Sequence, residues 1–243
     1  MTHAAIVTGV SKGLGAALAA ALLGRGYAVI GIGRSSAPEL TGDAYRFVEC
    51  DLGVIERIDA AVEPALRALA RSSPQSVCLV NNAAVASPVG ALGGLDAIEI
   101  ERSLDVNLTA VAILCNVFLR VFGDESLPRR IINVSSGAAQ STIPGGGLYC
   151  VAKAGLEMLT RVLVEDAKAP SLTAITLRPG IIDTPMQVFM RSQPADVLPS
   201  VTMFREFHDS GQLVKPEVVA MKIADQLVRA PVEQGRTYNY REL

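Results

Sequence analysis

The chain has 243 residues, half of them apolar, with 22 Lys and Arg against 24 Asp and Glu for a net charge of −2. That size suits one large α/β domain, and the balanced charge, without a basic run or basic helix face, argues against nucleic-acid or anionic-membrane partners. The four cysteines (Cys50, Cys78, Cys115, Cys150) form no CxxC pair and the two histidines, His3 and His208, lie far apart, so no metal site is expected.

Met1 is followed almost at once by the apolar run Ala4 to Val7, leaving no room for a signal peptide. No apolar run approaches the roughly 20 residues that span a bilayer. The expectation is a cytoplasmic protein with reduced thiols. A Gly-rich turn follows the first run, and Gly15 to Leu23 has helical composition. Ala28 to Ile32 and Tyr45 to Glu49 read as strands. Ile55, Ile58, Val62, Leu66 and Leu69 recur at helical spacing. Val77 to Val80 is a strand ending in Asn81-Asn82, and a long helix is predicted from about Ala97 to Phe122. Strand Arg130 to Val134, helix Tyr149 to Ala167 and strand Thr173 to Leu177 complete the regular part. This alternation predicts an α/β fold, a doubly wound parallel sheet of the Rossmann type in a single domain. Residues 185–212 break the alternation and are too long for an ordinary connection, which marks a lid or binding segment.

Ligands of such sheets bind at the carboxyl ends of the strands. Gly9, Ser11, Lys12, Gly13, Leu14 and Gly15 occupy the turn between the first strand and first helix. Gly9 permits a tight turn, Gly13 close approach of backbone to a pyrophosphate, and Gly15 close helix–sheet packing. A plain strand–helix turn is the alternative. The tip of the second strand reads Gly33-Arg34-Ser35, with no carboxylate to hold a ribose 2′-OH. Arg34 and Lys12 suit a 2′-phosphate, hence NADP(H), unless both are simply solvated. Asp51 is placed either to accept from the adenine amine or to cap a helix.

Tyr149 and Lys153 share one helix face, Ser136 closes the strand before them, and Asn107 is a polar residue in an apolar helix. Carbonyl reduction places negative charge on oxygen, so it needs a donor able to become an anion. A free phenol near ~10 is too weak an acid at neutral pH. A neighbouring Lys⁺ favours the phenolate and is expected to lower that value. Ser136 would add a hydrogen bond to the carbonyl oxygen, and Asn107 would hold a water that resupplies the proton.

These residues resemble the short-chain dehydrogenase/reductase family, in its single-domain branch with a TGxxxGxG turn. The resemblance covers essentially the whole chain: Thr8 to Gly15, Asn81-Asn82-Ala83, Asn107, Ser136, Tyr149-Cys-Val-Ala-Lys153 and Pro179-Gly180-Ile181-Ile182-Asp183-Thr184. It implies an Asn107-Ser136-Tyr149-Lys153 tetrad. It also implies a coenzyme site including Leu52, Asn82, Ala83, Pro179 and Gly180, with the nicotinamide carboxamide held through Ile182 and Thr184. Leu148 to Ala154, Arg178 to Gln187 and Ser210 to Val219 look like the sepiapterin reductase and bacterial benzil reductase group. The implied function is NADPH-dependent reduction of a ketone or α-diketone, in a homodimer or homotetramer; a pterin reductase and a non-catalytic NADP(H)-binding sensor are the alternatives. A sugar-nucleotide epimerase would need an extra domain that this chain does not house.

Three departures stand out. Ala84 replaces a usual Gly, and would take positive φ only at a cost. Gly145-Gly146-Gly147 occupies a place where the group often has Trp, which predicts an open or mobile pocket wall. Asn239, in the last strand, stands where pterin reductases carry an acid. Residues 185–212 hold half of the chain's Phe and Met, which predicts an apolar pocket lined by Ala138, Gly146, Met186, Phe189 and Met190, or else a lid packed on its own core. Val111, Ile113, Val117 and Val121 exceed what one sheet face needs, and suggest a seam between subunits.

Overall fold

The computed structural model describes residues 2–167 and 169–243. Its strands are β1 (His3–Thr8), β2 (Ala28–Gly33), β3 (Tyr45–Glu49), β4 (Ser76–Asn81), β5 (Arg129–Val134), β6 (Leu172–Arg178) and β7 (Thr237–Asn239). All pair in parallel, in the order β3-β2-β1-β4-β5-β6-β7. Both faces are covered, so the strands read as continuous apolar runs rather than alternating ones. In β1, Ala4 and Ile6 enter one core while Ala5 and Val7 enter the other. The strand order turns back at β1, which opens a crevice between the ends of β1 and β4.

The helices are α1 (Gly13–Leu23), α2 (Ile58–Arg71), α3 (Ala97–Leu104), α4 (Ala110–Val121), α5 (Gly147–Asp166), α6 (Pro185–Arg191), α7 (Val201–Asp209) and α8 (Pro216–Lys222). Helices α2, α4 and α5 cover one face through Ile58, Val62, Leu66, Leu114, Phe118 and Leu156. Helices α1 and α8 cover the other through Leu18, Leu22, Val219 and Ala220.

The long helix departs from expectation in three ways. It runs from Ala97 to Val121, but a π-turn over Asp105–Thr109 joins α3 to α4, and Asn107 lies in that turn. By length and composition it could cross a membrane, with a mean hydropathy of 1.6 over its most apolar window, contrary to the reading that no such run exists. Here it is a core helix, burying Val111, Leu114, Cys115, Val117 and Phe118 against the sheet. Val111 and Val117 are therefore core residues rather than seam residues, with Ile113 and Val121 packed partly against the same core. Segment 185–212 folds into α6 and α7. Met190, Leu198, Val201 and Phe204 form a separate small core there, resting on Ala86, Val89 and Ile143.

Candidate active site

The end of β1 and the start of α1 are built for close backbone approach. Gly9 and Gly13 have φ of +77° and +61°. A Cβ on Gly15 would stand 2.2 Å from the Gly9 carbonyl oxygen, so only glycine fits there. Thr8 Oγ1 accepts from the backbone N–H groups of Asn82 and Ala83, each at 2.9 Å, and Asn82 Nδ2 donates to the Thr8 carbonyl at 2.9 Å. These bonds lock the Gly-rich turn to the end of β4. Helix α1 has no side-chain cap and no acid in its first turn, which leaves its N–H groups and positive dipole end to an anion. A dinucleotide pyrophosphate fits this cradle.

Around the turn, Ser11 is half-buried and Leu14 buried, while Lys12 and Arg34 are exposed. Among the described residues neither cation has a carboxylate partner within 4 Å. Asp51 is already engaged: its Oδ1 accepts from Gly53 N–H at 2.9 Å and its Oδ2 from Arg102 at 3.0 Å. The Gly53 N–H, with Arg102 and Arg34, holds its carboxyl below the usual range. It therefore caps a local turn and remains at the strand tip. Leu52 beside it is buried.

The chemical end is carried by α5. Tyr149 and Lys153 lie one turn apart, and Lys153 Nζ sits 5.5 Å from the Tyr149 ring centroid. Nζ donates to the Val134 carbonyl at 2.7 Å, next to Ser135 and Ser136 at the end of β5. Ser136 Oγ accepts from Ala138 N–H at 3.2 Å, which holds its side chain at the start of a short 3₁₀ turn. Burial pushes the Tyr149 phenol up to about 12, against the pull of the Ser136 hydroxyl. Burial also pushes the Lys153 ammonium down to about 8. Loss of solvent penalises both charged forms, the phenolate and the ammonium, where an adjacent ammonium was expected to lower the phenol.

Asn107 lies in the π-turn of the long helix. Its Oδ1 accepts from Val85 N–H and its Nδ2 donates to Val85 O, both at 2.9 Å, so the fully buried amide clamps the chain leaving β4. Nδ2 also donates to Ser103 Oγ at 3.4 Å, which leaves one acceptor position of the amide open.

On the opposite side, Pro179 and Gly180 follow β6, with Gly180 at φ +78° beneath the Tyr240 ring. Ile182 is buried and bridges to Val214, and Thr184 reaches to within 3.3 Å of where a Gly13 Cβ would be. The two loops thus face each other across the cradle. Ala84 takes no positive φ. Along Gly145-Gly146-Gly147, a Cβ on Gly145 would stand 2.7 Å from the Val197 carbonyl and one on Gly146 3.0 Å from Ile143 Cγ2, while one on Gly147 would meet nothing within 4 Å. Ala138 and Gly146 are buried and Met186 is half-buried. Met190 and, in part, Phe189 are taken up by the small core of segment 185–212.

Sequence reasoning missed several partners. Arg102 reaches Asp51, and Glu157 lies between Ser135 and Arg178. Glu242 accepts from Asn239 Nδ2 at 2.7 Å, so the last strand has a carboxylate beside it after all. Only Glu157 carried a usable signal, because it continues the Tyr149, Lys153 face of α5 at the same spacing.

A parallel sheet with a glycine cradle, and with Ser136, Tyr149 and Lys153 gathered at its carboxyl end, is the arrangement of an oxidoreductase that binds a nicotinamide coenzyme. The short chain dehydrogenase family model matches residues 3–195, and the chain belongs to that family. It is 31% identical to the benzil reductase ((S)-benzoin forming) of Bacillus subtilis, over 98% of both chains. It is 30% identical to the sepiapterin reductase of Meriones unguiculatus, over 95% of this chain and 93% of that one. The structure matches that of the KRED1-Pglu enzyme with a TM-score of 0.84 at 27% identity, covering 98% of this chain and 100% of the other. The benzil and sepiapterin reductases are the group that the motifs suggested.

Proposed function

We propose that the protein is an NADPH-dependent carbonyl reductase acting on a ketone or α-diketone, with Tyr149 as the proton donor. The observation that carries this reading is the single arrangement of Tyr149, Lys153 and Ser136, in which Lys153 is tied to the strand end that bears Ser136. When bound, the coenzyme supplies the hydride. The Ser136 and Tyr149 hydroxyls donate to the substrate oxygen as charge builds on it; removing one such donor commonly costs about 2.7–4 kcal/mol. Tyr149, held up to about 12, is protonated at neutral pH and so starts as an acid. The nascent alkoxide is the stronger base and takes its proton. Lys153, near 8, is mostly ammonium at pH 7 and stabilises the phenolate left behind. Unpaired Lys12 and Arg34 favour a 2′-phosphate over a bare ribose. The benzil reductase relatives support a bulky apolar carbonyl.

A second reading, a pterin reductase, draws support from the sepiapterin reductase relatives and from the Glu242 carboxylate beside Asn239. A coenzyme-binding sensor without turnover is disfavoured, because it needs no proton donor backed by a lysine.

Absorbance at 340 nm, followed with NADPH or NADH against benzil, 1-phenyl-1,2-propanedione and sepiapterin, separates these readings. Fast NADPH oxidation with the diketones, abolished in Tyr149→Phe, is expected. Sepiapterin as the better substrate favours the pterin reading, and tight NADPH binding without turnover on any carbonyl favours the sensor. We also propose a homodimer or homotetramer, supported by the exposed apolar residues Val151, Met158 and Val162 on α5. A monomeric mass at micromolar concentration would refute it.

A further inference from the structure

Helix α5 carries a third functional position one turn beyond Lys153. Tyr149, Lys153 and Glu157 are spaced by four residues and share a face. Each of the lower two grips the end of β5: Lys153 through the Val134 carbonyl at 2.7 Å, and Glu157 through the Ser135 hydroxyl, which donates to Oε1 at 2.9 Å. Ser135 is buried and is the residue before Ser136.

Glu157 is also the centre of a forked ion pair. Arg178 Nε donates to Oε1 at 2.8 Å and its terminal nitrogen to Oε2 at 2.7 Å. Its other terminal nitrogen donates to Gln140 Oε1 at 2.7 Å. The two charged side chains are only 14% and 13% exposed, so water does little to loosen them. Arg178 is the last residue of β6 and leads directly into Pro179-Gly180. Gln140 ends the short 3₁₀ turn that begins at Ser136. One carboxylate therefore joins the helix bearing Tyr149 and Lys153, the strand end bearing Ser136, and the strand that leads into the coenzyme turn.

We propose that Glu157 and Arg178 are positioning residues for the reaction, a clamp that sets the Ser136 hydroxyl in register with Tyr149 across the β5–α5 seam. The idea rests on the reading of Tyr149 and Ser136 given above. Neither clamp residue touches the substrate oxygen; each acts through the groups that do. A bidentate fork fixes angle as well as distance, which a single point charge does not. Small displacements of a reacting group slow chemistry steeply, by as much as about 100-fold per ångström. Loosening the clamp should therefore lower turnover while leaving coenzyme and carbonyl affinity nearly intact.

The test compares Glu157→Gln, Arg178→Lys, Ser135→Ala and Tyr149→Phe in the full-length enzyme, with NADPH and benzil as probes. It measures kcat, KM, NADPH affinity by fluorescence, thermal midpoint and the isotope effect from NADPH deuterated at the transferred hydrogen. Glu157→Gln and Arg178→Lys should each lose about tenfold or more in kcat, with both affinities changed by less than about threefold and an undiminished isotope effect. Ser135→Ala, which removes one hydrogen bond and keeps the ion pair, should lose a few-fold in kcat. If Glu157→Gln does not fold, Arg178→Lys and Ser135→Ala decide the matter alone. A lowered thermal midpoint with wild-type kcat would overturn the clamp and leave a purely structural ion pair. Benzil reduction surviving in Tyr149→Phe would instead overturn the underlying reading of the reaction.

Discussion

Lys153 and Tyr149 face each other one helical turn apart, yet the lysine spends its hydrogen bond on the Val134 carbonyl and not on the phenol. The ammonium is thus anchored to the sheet before any ligand arrives. Its charge is costly where it stands, because burial lowers it from 10.5 to about 8.

That cost has a pH signature. The unfolded chain binds the Lys153 proton more tightly than the native one, so between about pH 8 and 10.5 stability rises with pH on account of this group. A shift of this size corresponds to roughly 3 kcal/mol. Cys78, Cys115 and Tyr149, each pushed up to about 12 by burial, act in the opposite sense above about pH 9. The difference between wild type and Lys153→Met isolates the lysine. Urea melts of the coenzyme-free proteins should show Lys153→Met gaining relative stability at pH 7 and losing that advantage by pH 10. A pH-independent difference would show that Lys153 is not buried as a cation.

Coenzyme choice is expected to rest on two unpaired cations. Arg34→Ala should raise KM for NADPH by about tenfold or more, in line with the worth of a charge-assisted hydrogen bond, and leave NADH nearly unchanged. Lys12→Ala should act in the same direction and more weakly, and added salt should shrink both effects. Equal losses with both coenzymes would remove these residues from the 2′-phosphate.

Two glycines make opposite predictions. In Gly15→Ala the new methyl would stand 2.2 Å from the Gly9 carbonyl and 2.5 Å from Asn82 Nδ2. The turn would have to open, at a cost of about 1–3 kcal/mol and with loss of coenzyme binding. Gly147→Ala, at the start of α5, meets nothing within 4 Å and should be neutral or stabilising by up to about 1 kcal/mol. Thermal melts with and without NADPH distinguish the two.

Asn107→Ala should destabilise the protein by about 2 kcal/mol, because the N–H and C=O of Val85 both lose their partner. The clamped stretch continues from Ala83, so NADPH affinity should fall as well. A variant as stable as wild type would leave Asn107 with the water-holding role alone.

What was legible in the chain was local. Gly9, Gly13 and Gly15, or Tyr149 and Lys153, lie within a few residues of one another, so spacing alone places them on one turn or one helix face. The pairs that escaped notice join distant segments: Arg102 to Asp51 across 51 residues, and Arg178 to Glu157 across 21. No periodicity reports such contacts. The π-turn at Asp105–Thr109 was hidden for a related reason, since apolar residues continue through it with no break in spacing. Val111 and Val117 were assigned to a seam because counting apolar residues does not say which side of the helix meets the sheet. The abundance of Met and Phe in 185–212 was equally silent about direction, and part of it turned inward.

That inward packing sets one part of the chain apart from the rest. Segment 185–212 is held together by Met190, Leu198, Val201 and Phe204, none of which belongs to the sheet's two large cores. Exchanging residues inside this small unit leaves in place the strand that leads to Ser136 and the helix that carries Tyr149. Variation can therefore accumulate in this unit, one conservative swap at a time, while the two large cores are inherited unchanged.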